Sequence, residues 1–351
     1  MIIQKLLISK ETVLRKLPKN FEKKDMRLFK EELKRHLSES YLYKIKDVKI
    51  YDNGNLDKLN HNILKNHLGF KSISSLKFIK KIILSLIFFL VLIKNKFKFY
   101  FFPIKINLIK DSIIVHDRNS NGYFHWINDI LPKLLIIEKN KKLSKYYVLL
   151  PEYLKIPFIV ESIKYFKIKF KFIQKNETII SKNCYYIGDI SESGNPRPKL
   201  LRQLREKFRN LTKIKKKNNL KIYISRRFSR RNLVNEKDLE NYLKTKKFKI
   251  LYMEKISFKK QLFYAMNAKV LVGPYGAGLI NSFWQSRNSN IIEIKPNNDH
   301  FANCFFSAAN ALNLNYYYII SKKNNLLSST KTSNYYLNLK SFKNQFSSLL
   351  K

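Results

Sequence analysis

Two short stretches in the second half of this 351-residue chain have the composition of anion-binding turns. In KVLVGPYGAGLINSFW (269–284) an apolar run leads into Gly273, Tyr275, Gly276, Ala277, Gly278, Leu279 and Asn281. Glycines let a backbone approach a ligand closely, and amides at the start of a helix favour a phosphate. No Lys-Ser or Lys-Thr pair follows the last glycine, and the spacing is not G-x-G-x-x-G, which excludes a P-loop and a dinucleotide fingerprint. A plain strand-to-helix turn would have the same composition. The second stretch, SRRFSRRN, supplies Arg226, Arg227, Arg230 and Arg231. Guanidinium groups grip diphosphate oxygens in pairs and would stabilise a leaving diphosphate. A solvated basic loop or a nucleic-acid patch would also carry such residues. Glu293, in IIEIK (291–295), could accept hydrogen bonds from ribose hydroxyls at the carboxyl end of a strand.

Proton chemistry points elsewhere, to GYFHWINDILPKLL (122–135). His125 and Asp129 are four apart and share one helix face. Either could act as a general base near neutral pH, or the carboxylate could orient the imidazole. Capping and packing roles for His125 and Trp126 are the bland alternative. Ile127, Ile130, Leu131, Leu134 and Leu135 give the helix an apolar side, and Pro132 predicts a kink or a short first turn. The six histidines are scattered and no metal-ligand cluster stands out.

These residues need elements to hold them. From Lys221 the pattern is regular: strands at 221–225, 248–252, 269–273, 291–295 and 316–320 alternate with helices at 235–246, 257–267, about 279–285 and 301–312. Such alternation implies a parallel, doubly wound sheet, which binds ligands beyond the carboxyl ends of its strands. The basic and glycine turns should then share one sheet edge. The first half is less regular, with helices at 24–36 and 124–139 and strands near 48–51, 97–102, 112–115 and 146–150. The lysine and asparagine run 213–219 reads as a linker. The expected domains are 1–212 and 220–320, with a tail, 321–351, packing back on the first.

Lys and Arg exceed Asp and Glu by 45, yet 45% of residues are hydrophobic, so the chain is no disordered polyelectrolyte. Two cysteines, Cys184 and Cys304, cannot build a disulfide framework, which suggests a reducing compartment. The lysines are dispersed rather than gathered on a module with stacking aromatics, so a nucleic-acid partner is not expected. A charge this positive would attract an anionic membrane surface. The segment 82–93, IILSLIFFLVLI, lies between lysines; it is too short to span a bilayer and reads as a core element or a membrane-surface patch.

Taken together, FHWINDILPKLL, YISRRFSRRNLVNE (223–236), FYAMNAKVLVGPYGAGLINSFW (263–284), IIEIKP (291–296) and HFANCFFSAANALNLNYYY (300–318) resemble glycosyltransferase family 61. That family includes bacterial capsular polysaccharide transferases. The resemblance implies an α/β, GT-B-like fold, two Rossmann-like domains facing a central cleft, the second holding a nucleotide-sugar and the first the acceptor. It implies inverting transfer from a donor expected to be UDP-linked, without a metal, to a glycan or lipid-linked oligosaccharide. Cytoplasmic placement follows, peripheral to the inner face of the membrane. Asp129, or His125 oriented by Asp129, would deprotonate the acceptor; Arg226 and Glu293 fall on family positions, with Arg227 beside them. The family usually reads G-P-H-G-A-G-L-T-N, whereas this chain has Tyr275 for the histidine and Ile280 for the threonine. Tyrosine cannot carry a proton near neutral pH as histidine can. That departure keeps open a second reading, a non-catalytic scaffold with a nucleotide-sugar fold.

Overall fold

The computed structural model describes residues 2–58, 104–212, 219–229, 231–297, 303–323 and 334–349, together with 86, 89, 90, 93, 94 and 97. Strands are numbered in chain order. The first eight are β1 (Ile2–Ile8), β2 (Glu11–Leu14), β3 (Lys34–Leu37), β4 (Ser40–Ile50), β5 (Lys105–Ile114), β6 (Tyr147–Pro151), β7 (Lys169–Ile173) and β8 (Glu177–Ile187). The others are β9 (Leu220–Ile224), β10 (Lys249–Leu251), β11 (Ala268–Pro274), β12 (Asn290–Pro296), β13 (Asn315–Lys323) and β14 (Tyr335–Tyr336). The chain divides into two units, one formed by Met1–Lys10 and Ser38–Glu192, the other by Glu11–Leu37 and Ser193–Lys351.

In the first unit the strand order is β1-β4-β8-β5-β6-β7. β8, β5, β6 and β7 run parallel, and β4 and β1 add antiparallel strands beyond β8. The chain winds from β5 to β6 and β7, then returns to the other side of β5 as β8. The order therefore reverses between β5 and β8, and the crevice beyond their carboxyl ends is the place where such sheets bind ligands. Ile45, Val48, Ile50, Ile114, Leu149, Ile173, Ile179 and Tyr186 fill one core against this sheet.

In the second unit the order is β10-β9-β11-β12-β13-β14, parallel except for β14. This reversal falls between β9 and β11. The apolar runs KIYI and KVLVG become central strands because both of their faces are covered, so burial is near-continuous along them. The expected alternation is thus present. The helix expected at about 279–285 is a tighter turn of 3-10 type, Ala277–Trp284.

Three expectations about organisation are corrected. The helix Pro198–Thr212 belongs to the second unit: it buries Leu201, Leu204, Arg205 and Phe208, and Phe208 packs on Phe258 and Trp284. The tail also packs within the second unit, where β14 pairs with β13, and Phe342 and Phe346 join Tyr223, Leu239 and Val272 in one core. The helix expected at 24–36 ends at Leu33, because Lys34–Leu37 pairs with β2; cross-strand hydrogen bonding outweighs a weak local helix preference there. The proposed linker, 213–219, and most of the segment 82–93 lie outside the described residues. So do residues 98–102 of the strand expected at 97–102, while Phe97 is helical. Among the described residues, no helix is long and apolar enough to cross a membrane.

Arg205 ties the second unit together. It is fully buried and donates to the carbonyls of Gln285, at 3.3 Å, and Leu312, at 2.9 Å, the ends of two helical segments. Burial, with Arg209 next in effect, pushes its guanidinium down to about 10. Arg205→Ala would strand both carbonyls and open a cavity. The expected loss is about 3 kcal/mol of stability, read as a lower urea midpoint with an unchanged slope.

Candidate functional site

The first unit presents its chemistry at the start of the helix that follows β5. The chain turns over Val115–Gly122, makes a short helical turn at Tyr123–His125, and passes through a π-turn at Trp126–Ile130 into the α-helix Leu131–Lys139. The π-turn closes with the Leu131 amide donating to the Trp126 carbonyl. Pro132 then falls in the first turn of the following helix, where its missing N–H costs little. Trp126 is buried and donates from Nε1 to Ser162 Oγ at 2.8 Å, which fixes the rotation of the segment.

With that face pinned, His125 Nδ1 lies 2.8 Å from Asp129 Oδ2, and Asn128 Nδ2 donates to Asp129 Oδ1 at 2.7 Å. Both carboxylate oxygens are thereby engaged. The Asp129 side chain is 6% exposed, whereas that of His125 is 34% exposed. If Nδ1 carries the proton, the bond to Asp129 leaves Nε2 as the basic nitrogen of the ring. The pair can orient a base and stabilise the imidazolium that forms when it takes a proton.

Residues absent from the sequence analysis stand at the carboxyl ends of the same parallel strands. Lys133 is buried and donates to the carbonyls of Val115 and Ile187, each at 3.1 Å, bridging the carboxyl ends of β5 and β8. Asp189 stands 3.8 Å from its ammonium. His116 and Asp117 lie one residue beyond β5 and are buried. Asp117 Oδ1 accepts from Ser120 Oγ and the Asn119 amide, each at 2.9 Å. Burial, and then the charge of Asp117, push the Tyr153 phenol up to about 12. The available signal was position: residues just after a parallel strand stand at the ligand-binding edge.

In the second unit the two turns singled out in the sequence meet at the reversal between β9 and β11. Arg226 Nη1 donates to the Tyr275 carbonyl at 2.8 Å, and its Nε donates to the Arg231 carbonyl at 3.0 Å. Gly276 is buried against that guanidinium: a Cβ there would sit 1.2 Å from Arg226 Nη1. Gly273 and Gly278 pack on Ile224, where added Cβ atoms would lie 3.1 Å from its carbonyl oxygen and 2.8 Å from its Cγ2. Arg226 is therefore a brace between the turns, with burial and then Arg231 lowering its guanidinium to about 10. Arg231 lies over the Tyr275 ring at 4.9 Å, and that ring meets Phe305 edge-on at 5.9 Å. The side chain in the histidine position of the family pattern is thus a platform for a cation. Arg227 keeps a 42% exposed side chain, 3.7 Å from Glu240. Arg230 lies outside the described residues.

Four expected donor residues stand differently from the sequence reading. Glu293 is fourth of seven residues in β12, not last, and is fully buried, accepting from the Tyr316 hydroxyl at 2.7 Å. A carboxylate so placed braces β13 instead of presenting itself to a ribose. Asn281 is buried and donates to Gln261 Oε1 and the Gly278 carbonyl. Leu279 is buried, and its amide donates to the Gly276 carbonyl at 3.0 Å. The Tyr275 amide is likewise engaged, by the Ile294 carbonyl. The amides of Gly276, Ala277 and Gly278 open the turn, the position at which a helix start can meet an anion. Among the described residues, no group of three His, Cys, Asp or Glu side chains could hold a metal ion.

The family described as Glycosyltransferase 61 matches residues 123–292, and that stretch of the chain belongs to it. The match runs from the helical turn that carries His125 to β12, ending one residue before Glu293. No curated protein matches the chain. The protein is accordingly a glycosyltransferase, an enzyme of polysaccharide synthesis that uses a nucleotide-sugar donor, built from two sheet-containing α/β units consistent with a GT-B-like fold.

Proposed function

We propose that this family 61 glycosyltransferase activates its acceptor with His125, oriented by Asp129, and holds its donor at the basic and glycine turns of the second unit. The acceptor hydroxyl gives its proton to His125 Nε2, and its oxygen forms a bond to the anomeric carbon from the face opposite the leaving group. The bond from that carbon to the diphosphate oxygen breaks, its electron pair leaves with the nucleoside diphosphate, and the anomeric configuration inverts. Arg227 and Arg231, the amides of Ala277 and Gly278, and the field of Arg226 offset the charge that develops on the diphosphate. The single observation that carries the base assignment is the contact of His125 with Asp129, whose other oxygen is held by Asn128.

The finer features of the reading are a UDP-linked donor, transfer without a metal, and two Rossmann-like domains facing a central cleft. The acceptor is a glycan or a lipid-linked oligosaccharide. We place the enzyme in the cytoplasm, peripheral to the inner face of an anionic membrane. Support for the membrane contact comes from Leu86, Phe89, Leu90 and Ile93, which recur at helical spacing and are 47–63% exposed, and from the net charge of +45.

A thermal-shift screen against nucleotide-sugars and free nucleotides tests the donor site. A nucleoside diphosphate at about 100 times its Kd should stabilise the chain by about 2.7 kcal/mol, visible as a rise in Tm. Absence of any shift with all common nucleoside diphosphates would remove the donor assignment.

A further inference from the structure

Beneath the basic turn lie two carboxylates that the transfer reaction does not use. Glu236 and Glu240 occupy one face of the helix Glu236–Thr245 and are buried. Glu236 Oε1 accepts from the Tyr223 hydroxyl at 2.7 Å and from the Arg226 amide at 2.8 Å. Glu240 Oε1 accepts from Ser225 Oγ at 2.7 Å, and both its oxygens lie 3.2 Å from the Tyr252 hydroxyl. Ser225 Oγ in turn accepts from the Arg227 amide at 3.1 Å. The backbone that leaves β9 is thus held at two consecutive amides, Arg226 directly and Arg227 through Ser225.

We propose that Glu236 and Glu240 are positioning residues of the donor site, which fix the backbone of Arg226 and Arg227 so that the basic turn meets the diphosphate preformed. The proposal rests on the reading that this turn holds the donor. Its physical oddity is what makes it testable. An anion site gains nothing electrostatically from two buried negative charges, because each repels the ligand. Their presence makes sense if hydrogen-bond geometry matters more than that repulsion. Burial, and then Glu240, raise the Glu236 carboxyl above the usual carboxylate range. A raised folded value means a contribution to stability that is present at low pH and lost as pH rises through that value. Above that value the Glu236 charge is therefore a burden on the fold, and there Glu236→Gln should fold at least as stably as the parent.

The experiment is calorimetric binding of two probes, inorganic pyrophosphate and UDP, to the full chain and four variants. Glu236→Gln keeps an oxygen that accepts from Tyr223 and Arg226, and should bind within about threefold of the parent. Glu236→Leu removes that oxygen and should bind about tenfold more weakly, even though a negative charge is gone. Ser225→Ala breaks the link from Glu240 to the Arg227 amide in a side chain too small to threaten folding, and should also lose about tenfold. If Glu236→Leu does not fold, Ser225→Ala decides. Binding by Glu236→Leu or Ser225→Ala as tight as the parent's, or tighter, overturns the proposal. Arg227→Ala separates the two levels. If it binds both probes as the parent does, or if the parent binds neither, the donor site itself is misassigned and the positioning role falls with it.

Discussion

Replacement of His125 by alanine should lower turnover by about 10²–10⁴-fold and leave nucleotide binding unchanged. The size follows from the step lost. An acceptor hydroxyl must shed its proton as it attacks, and His125 is the more exposed member of a hydrogen-bonded pair whose carboxylate has both oxygens engaged. Asp129→Asn separates orientation from proton transfer. The amide can still meet the ring, but it neither stabilises an imidazolium nor enforces the tautomer with the proton on Nδ1, so about 10²-fold or more should be lost. Asn128→Ala, which frees only the second oxygen of Asp129, should lose less than either. The measurement is the rate of nucleotide release from the cognate nucleotide-sugar with acceptor present, set beside the thermal shift with nucleotide alone. His125→Ala with turnover within about threefold of the parent would remove it as the base. A matching fall in the nucleotide shift would mean instead that the helix turn had collapsed.

Much of this was readable before any coordinates. The βα alternation from Lys221 follows from short apolar runs separated by amphipathic helices, and it predicted that Arg226 and Gly276 share a sheet edge; the brace between them bears that out. The i, i+4 spacing of His125 and Asp129 was equally plain, because a helix face is set by local geometry. Other features were hidden because they depend on partners remote in sequence. Nothing in YISRRFSRRN says that Arg226 turns inward to two carbonyls while Arg227 stays half in solvent; that is decided by the bare backbone of Gly276, fifty residues after Arg226. Glu293 looked like a ligand residue, but its environment is set by Tyr316 on the next strand. The units' boundaries were misplaced for the same reason. The segment Glu11–Leu37 lies early in the chain, yet Phe29 packs against Phe306, Tyr316 and Tyr318 of the second unit.

The contact between Gly276 and Arg226 supports the other large prediction. Gly276→Ala would place a methyl group 1.2 Å from Nη1 and 2.3 Å from Cζ of Arg226, so the guanidinium must leave. Long side chains usually yield cheaply, but this one is part-buried and donates to two carbonyls, those of Tyr275 and Arg231. Each charge-assisted bond is worth about 1.5–3 kcal/mol. Losing both should loosen the two turns together and weaken nucleoside diphosphate binding by about 100-fold, with a lower Tm. Arg226→Ala should do the same by the opposite route, since it deletes the brace and leaves the glycine intact. The decisive variant is the double one. Once Arg226 is truncated, a methyl group at position 276 has room, so Gly276→Ala/Arg226→Ala should bind within about threefold of Arg226→Ala alone. Multiplied losses in the double variant would show that glycine is required there for ligand approach and not for the arginine. Parent-like binding by Arg226→Ala would show that the brace does not shape the donor site at all.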